Sequence, residues 1–249
     1  MGIWIILPIS LSAVSVIGCW VVYGLALHYD HVCPLSNWEY RNSCLPNETG
    51  ICCTHKNVPT ISTSGSYFPE NSLFSATINA GSFLFLVFCI FHHAHVLDRS
   101  SMHSLLSKFA VVFGSVTAIG AFVAANCNPT ELELLHNLGA ALSFVCVCIY
   151  TALLTSLTSR CALTGLEHFL YPLRIISSSI QVIMTILYCI FFVQKEDYYK
   201  HISAIFEWTL TMNLELFELS FALEFYSFSS SMLSVLLEVR DEDKPLILS

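Results

Sequence analysis

The sequence predicts an all-α polytopic membrane protein, with six transmembrane helices and a disulfide-stapled loop after the first of them. Three observations predict it. Charged residues make up only 11% of the 249-residue chain and hydrophobic residues 55%, whereas a soluble protein carries about 25% charged residues. The mean hydropathy is +0.68. Several charge-free runs are long enough to cross a hydrocarbon core of about 30 Å, and a backbone in lipid must bond to itself, which makes such runs helices. The formal net charge of −8 excludes nucleic acid as a partner, because that requires a basic surface. No repeat, linker or low-complexity tract divides the chain, so residues 1–249 read as one membrane domain.

The first run, residues 3–27, carries no charge. A cleaved signal peptide would place a basic segment before a shorter apolar stretch. Met1-Gly2 offers no basic residue, so this run is read as a retained span. Residues 28–71 form a polar loop holding Cys33, Cys44, Cys52 and Cys53 and the sequon Asn47-Glu48-Thr49. Clustered cysteines and a usable acceptor belong in an oxidising lumen or outside the cell. Asn47 is therefore the expected glycosylation site. Closure of the neighbours Cys52 and Cys53 is disfavoured by disulfide geometry. That leaves Cys33 and Cys44 pairing with Cys52 and Cys53 in either order, which staples the loop as a cap on the bundle.

Further spans are expected over residues 72–92, 107–128, 134–158, 173–194 and 201–232, with a cytosolic tail over 238–249. Six crossings put both termini in the cytosol. Arg99, Lys108, Arg160, Arg174, Arg240 and Lys244 then face the cytosol, against Arg41, Lys56, Lys195 and Lys200 on the other side. This is a modest positive-inside bias. Gly120 with Ala124, and Gly139 with Ser143, are small pairs four residues apart that let helix backbones approach.

The sixth span carries the sharpest chemistry. At 100° per residue, Glu215 lies about 80° and Glu218 about 20° from Glu207 on a helical wheel, whereas Glu224 falls elsewhere. A membrane carboxylate is costly and is turned into the bundle or a wet cavity. The expectation is an intramembrane polar network of Glu207, Glu215, Glu218 and His136, with Asn79, Asn137 and Arg174 as further candidate partners. As function, the same face reads as an ion or proton path or a lipid-headgroup site. His92, His93 and His95 resemble a metal cluster on paper. Neighbours on a helix diverge by about 100°, so an interfacial polar collar is expected instead. Cys161 sits where palmitoylation is conceivable. Gly-x-Ser-x-Gly, His-Glu-x-x-His and P-loop signatures are absent from the sequence, so no catalytic residue, metal site or cofactor is expected. Glu242, Leu246 and Ile247 fit an acidic dileucine pattern of the kind a clathrin adaptor reads, which points to late endosomes and lysosomes.

Residues spread along the chain carry a family resemblance. The stretch Trp4-Ile5-Ile6-Leu7-Pro8-Ile9-Ser10-Leu11-Ser12-Ala13 begins it. The loop continues it with His31-Val32-Cys33-Pro34, Asn37-Trp38, Cys52-Cys53-Thr54, Val58-Pro59, Ile61-Ser62, Gly65-Ser66, Pro69-Glu70 and Leu73-Phe74-Ser75. Later landmarks are Asn126, Leu135-His136 with Gly139-Ala140, Glu207-Trp208 and Glu224-Phe225. In these features the chain resembles the damage-regulated autophagy modulator family, in its transmembrane-protein-150 branch. Two features depart from it. Asn126-Cys127-Asn128 stands where members usually carry Asn-Phe-Gln, and the long polar tail of some branch members is missing.

The resemblance implies a six-helix protein without known enzymatic activity, acting in lysosomal, endosomal, autophagosomal or plasma membranes. Some members modulate autophagy. Others help place a phosphatidylinositol 4-kinase complex at the plasma membrane, and one branch is linked to mechanically evoked currents. The expected function is therefore a non-enzymatic regulator of autophagy or endolysosomal trafficking, with membrane lipids and autophagy machinery as partners. A plasma-membrane adaptor for phosphatidylinositol 4-kinase is the alternative. The competing class is an ion channel or transporter subunit using the acidic face. A water-filled path to Glu215 or Glu218 is the mark of the channel, and a dry packed bundle that of the adaptor.

Overall fold

A computed structural model describes residues 2–44, 52–161, 163–194 and 196–228. Asn47 and the sorting pattern at Glu242, Leu246 and Ile247 lie outside the described residues. The helices are α1 (Ile6–His28), α2 (Ile61–Ser64), α3 (Glu70–Arg99), α4 (Ser104–Asn126), α5 (Glu133–Arg160), α6 (Glu167–Phe192), α7 (Asp197–Leu219) and α8 (Ala222–Tyr226). Short 3-10 turns lead into α1, lie within the loop, and join α3 to α4. The described residues contain no strand.

Five of the long helices are long and apolar enough to cross a membrane: Ile3–His28 with its leading turn, α3, α4, α5 and α6. They present large apolar side chains outward, among them Ile17, Phe83, Ile119, Leu138 and Ile176, as a lipid-facing surface requires. The sixth long helix, α7, spans 23 residues, about 34 Å at 1.5 Å per residue. It carries the acidic face. It also differs from the expected 201–232 span. It starts at Asp197, stops at Leu219, and is followed after a turn by the short α8. The break has a local cause. The Ser220 hydroxyl donates back to the Phe217 carbonyl at 2.6 Å, a side-chain bond that competes with helix continuation. Arg174 then holds the turn, its Nη2 donating to the Ser220 carbonyl and its Nε to the Ser220 hydroxyl, both at 3.0 Å.

The six long helices close a ring in the order α1, α3, α4, α5, α6, α7, with α7 returning to α1. The α4–α5 crossing is the closest. A Cβ built on Gly120 would lie 2.7 Å from the Gly139 carbonyl oxygen, and one on Gly139 would lie 2.8 Å from the Ala124 nitrogen. The two small-residue pairs thus meet one another and let the backbones touch.

The loop folds back on one end of the ring. Its disulfides are nested, Cys33–Cys53 and Cys44–Cys52, which resolves the two pairings left open by the sequence. The Leu35 N–H donates to the Tyr23 hydroxyl at 2.8 Å. His201 donates from Nε2 to the Leu35 carbonyl at 3.0 Å and accepts at Nδ1 from the Tyr40 hydroxyl. Burial first, and the nearby Asp197 second, push the Tyr40 phenol upward. Trp38 lies against His201, with ring centroids 4.4 Å apart and planes tilted by 57°. The loop is therefore fastened to the start of α7.

Candidate functional site

The inward stripe of α7 contains Ala204, Glu207, Trp208, Leu210, Glu215 and Glu218, all buried. It faces α1, whose Ser12 hydroxyl donates to the Glu215 backbone carbonyl at 2.9 Å. Glu207, Glu215 and Glu218 keep only 5%, 6% and 1% of their surface exposed. All three line a central cavity of about 160 Å³, together with Ser15 from α1, Phe85 from α3, Thr117 from α4 and His136 from α5. Glu207 and Glu218 lie about 16 Å apart along the helix axis, so the carboxyls run the depth of the cavity.

Each carboxyl has a different setting. Glu207 accepts from the Ile61 N–H at 3.3 Å, and its neighbour Trp208 donates from Nε1 to the Pro59 carbonyl at 3.0 Å. These two bonds tie α2 across the loop end of the cavity. Thr60 starts α2 by accepting the Thr63 N–H at 2.9 Å, and Ile61 and Ser62 face the cavity. Glu215 and Glu218 each retain a buried oxygen, Oε2, without a hydrogen-bond partner, as does Thr117 Oγ1. His136 lines the same space, but its Nδ1 donates to the Ala124 and Cys127 carbonyls at 2.8 and 3.0 Å. No lysine or arginine is among the described lining residues.

The structure thus brings the four residues Glu207, Glu215, Glu218 and His136 to one cavity, while the hydrogen bonds of Glu207 and His136 go to backbone. The other candidate partners lie elsewhere. Asn79 pairs with Asn126 through bonds of 2.8 and 3.2 Å. Arg174 is taken by Glu224.

That second polar cluster was not legible on the helical wheel. Arg174 Nη1 donates to Glu224 at 2.5 Å and to the Thr158 hydroxyl at 2.7 Å, and its guanidinium lies 3.4 Å from the Phe221 ring centre. His92 Nε2 lies 3.3 Å from the other Glu224 oxygen. Glu224 sits beyond the Ser220 break, on α8, away from the face that Glu207, Glu215 and Glu218 share. The available signal was charge alone: a span arginine needs a carboxylate. The three histidines form no interfacial collar. His92 and His95 are buried at 2% and 1% exposure, His95 packs on Phe228 at 4.4 Å, and His93 bonds Ser107 at 2.7 Å. Among the described residues no group of His, Cys, Asp and Glu is placed to hold a metal ion. Cys161 is 3% exposed and burial pushes its thiol up, which removes it as an open acylation site.

An aromatic cluster packs inside the ring next to the cavity. Below Phe85 the ring is filled by Phe88, Tyr150, Leu154, Phe217, Phe221 and Phe225, each at most 1% exposed. At the loop end a groove of about 320 Å³, lined by Asn71, Ser75, Asn126 and Asn128, shares Phe74, Ala124 and Ala125 with the cavity. Gly65 has to be glycine here, since its Cβ would lie 2.3 Å from the Phe74 ring.

Comparison with known proteins gives a family and several relatives. The family model "Frag1/DRAM/Sfk1/Cwh43P N-terminal domain" matches residues 3–228. The chain is 35% identical to Transmembrane protein 150A of Homo sapiens over 96% of its own length and 89% of that protein's. It is 33% identical to Transmembrane protein 150A of Xenopus laevis over 94% and 88%. It is 26% identical to Modulator of macroautophagy TMEM150B of Xenopus tropicalis over 91% and 88%. No solved structure gives a significant match.

Proposed function

Because the chain belongs to the Frag1/DRAM/Sfk1 family, we propose that it is a non-enzymatic multi-pass membrane regulator, modulating autophagy or endolysosomal trafficking through protein partners. The observation that carries this reading is the similarity to macroautophagy modulators over 91% of the chain. The architecture supports it. A stapled loop caps one end, and an aromatic plug with a buried ion pair closes the other. These features suit a scaffold that presents fixed surfaces. On this reading the loop with Asn47 is luminal and glycosylated, and both termini are cytosolic. The Glu242, Leu246 and Ile247 pattern then lies within reach of a clathrin adaptor and sends the protein to late endosomes and lysosomes.

Two observations favour other readings. Identity to Transmembrane protein 150A, at 35%, exceeds the 26% to the macroautophagy modulator, which keeps open the alternative that the family resemblance implies, a plasma-membrane adaptor for phosphatidylinositol 4-kinase. The cavity reaching Glu215 and Glu218 is the feature sought for a channel or transporter. The buried cluster of Phe88, Phe221 and Phe225 inside the same ring argues instead for a ligand site rather than a continuous path. Proximity labelling from the tail separates the first two. Enrichment of autophagy and endolysosomal proteins supports the regulator. Enrichment of a phosphatidylinositol 4-kinase complex with its plasma-membrane anchors supports the adaptor.

A further inference from the structure

The central cavity has the features of a built ligand site. It holds about 160 Å³ within the bundle, close to the size of an engineered protein cavity of about 150 Å³ that accepts benzene. Unlike that cavity it is not purely apolar. Two carboxyl oxygens, Glu215 Oε2 and Glu218 Oε2, and the Thr117 hydroxyl are buried against it without a partner. A buried polar group without a partner is costly, and a buried charge more so.

Among the described lining residues no cation offsets these groups. The described lining has no lysine or arginine, and the nearby buried guanidinium, Arg174, is bound to Glu224, Thr158 and Ser220. A metal ion does not fit, since among the described residues no group of three or more ligating side chains converges. An anion would meet only like charge. The chemistry missing from the cavity is a positive hydrogen-bond donor carried on an apolar body.

We propose that this cavity, with Glu215, Glu218 and Thr117 at its polar end and Phe85, Val147 and Leu214 as its apolar wall, binds an organic ammonium ion. The ammonium has three donors to give, and the unpartnered oxygens of the lining are acceptors. The apolar part is about the size of a benzene ring. The ligand enters from the loop end, where the outer groove and the cavity share Phe74. The inference goes beyond the regulatory reading and is independent of it, since it concerns occupancy and not the pathway regulated.

The same chemistry has two sources, a small amine from the aqueous lumen or a single-chain amine already dissolved in the bilayer. The test uses the full chain in lipid nanodiscs. One arm adds 2-phenylethylamine or its neutral isostere 2-phenylethanol to the buffer and measures binding by equilibrium dialysis and thermal shift. A second arm dopes the bilayer with hexylamine or hexanol, whose chain is about the size of the apolar part. The amine should bind at least about tenfold more tightly than the alcohol of the same shape, the discrimination expected of charge-assisted hydrogen bonds. The arm that binds more tightly identifies the source. The Glu215→Gln and Glu218→Gln double variant should lose at least about tenfold in amine affinity while binding the alcohol as before. Ala140→Leu, which fills the cavity and leaves both carboxyls in place, should abolish binding of both and serves if the double variant does not fold. Equal affinity for amine and alcohol, retained amine binding in the folded double variant or in Ala140→Leu, or no binding in either arm would overturn the proposal.

Discussion

Arg174 on α6 and Glu224 on α8 form an ion pair beside the α7–α8 break, with the arginine 0% and the glutamate 1% exposed. The pair fixes the end of the bundle away from the loop, since Arg174 also holds both Ser220 groups and lies over Phe221. Arg174→Met leaves Glu224 buried beside His92 alone. Removing one partner of a buried pair costs about 3–5 kcal/mol, whereas replacing both with apolar groups is often neutral. The expected result is a large drop in the thermal midpoint in nanodiscs for Arg174→Met, and recovery of most of it in Arg174→Met with Glu224→Leu. A double variant as unstable as the single would mean that the turn depends on the serine contacts and not on the pair.

The α4–α5 crossing makes a steric prediction. Gly120→Val drives its new side chain into the Gly139 carbonyl and the Ser143 backbone, at 2.7 and 2.8 Å from the first carbon alone. Backbone cannot swing aside as a flexible side chain can, so the loss should reach at least about 1–3 kcal/mol. Gly24→Val, where nothing lies within 4 Å, should leave the midpoint close to that of the wild type. Equal effects would mean that the small residues do not set the crossing.

Two glutamates of the same stripe should respond in opposite ways. Glu207→Leu strands the Ile61 N–H that it now accepts and loosens α2, at about 1–3 kcal/mol. Glu218→Leu removes an oxygen that has no partner, so stability should hold or rise. A site kept at a stability cost is the usual mark of function. If thermal unfolding shows Glu218→Leu to be as damaging as Glu207→Leu, the acidic stripe is a structural network and not a binding surface.

The loop pairing is directly measurable. Peptide mapping of the unreduced protein should recover Cys33–Cys53 and Cys44–Cys52. Removing the outer bridge with Cys33→Ser and Cys53→Ser should cost about 2–5 kcal/mol, the usual range for a native disulfide in a small stapled unit. It should also free Trp38 and Tyr40 from His201, read as a change in tryptophan fluorescence. Recovery of Cys33–Cys52 would overturn the nested arrangement.

Composition and run length made the helices legible, because lipid leaves so few alternatives for a backbone. The inward turn of Glu207, Glu215 and Glu218 was legible for the same reason. What the wheel missed begins at Ser220. A single hydroxyl and a distant arginine end α7 there, and no periodicity encodes a contact across 46 residues. Glu224 and His92 therefore looked unrelated to Arg174. The histidines looked interfacial because neighbouring sequence says nothing of Phe88, Phe221 and Phe228, which enclose His92 and His95. The disulfide choice turned on how the loop lies over Tyr23 and His201, a tertiary fact.

The central claim, a membrane regulator of autophagy, is tested most directly by autophagic flux. It is measured as turnover of a lipidated autophagosome marker with and without lysosomal inhibition. The comparison is between cells lacking the protein, cells with the wild type restored, and cells with the Leu246→Ala and Ile247→Ala variant restored. Loss should change flux, the wild type should restore it, and the tail variant should fail because it no longer reaches lysosomes. Unchanged flux on loss, together with a fall in phosphatidylinositol 4-phosphate at the plasma membrane, would contradict the claim.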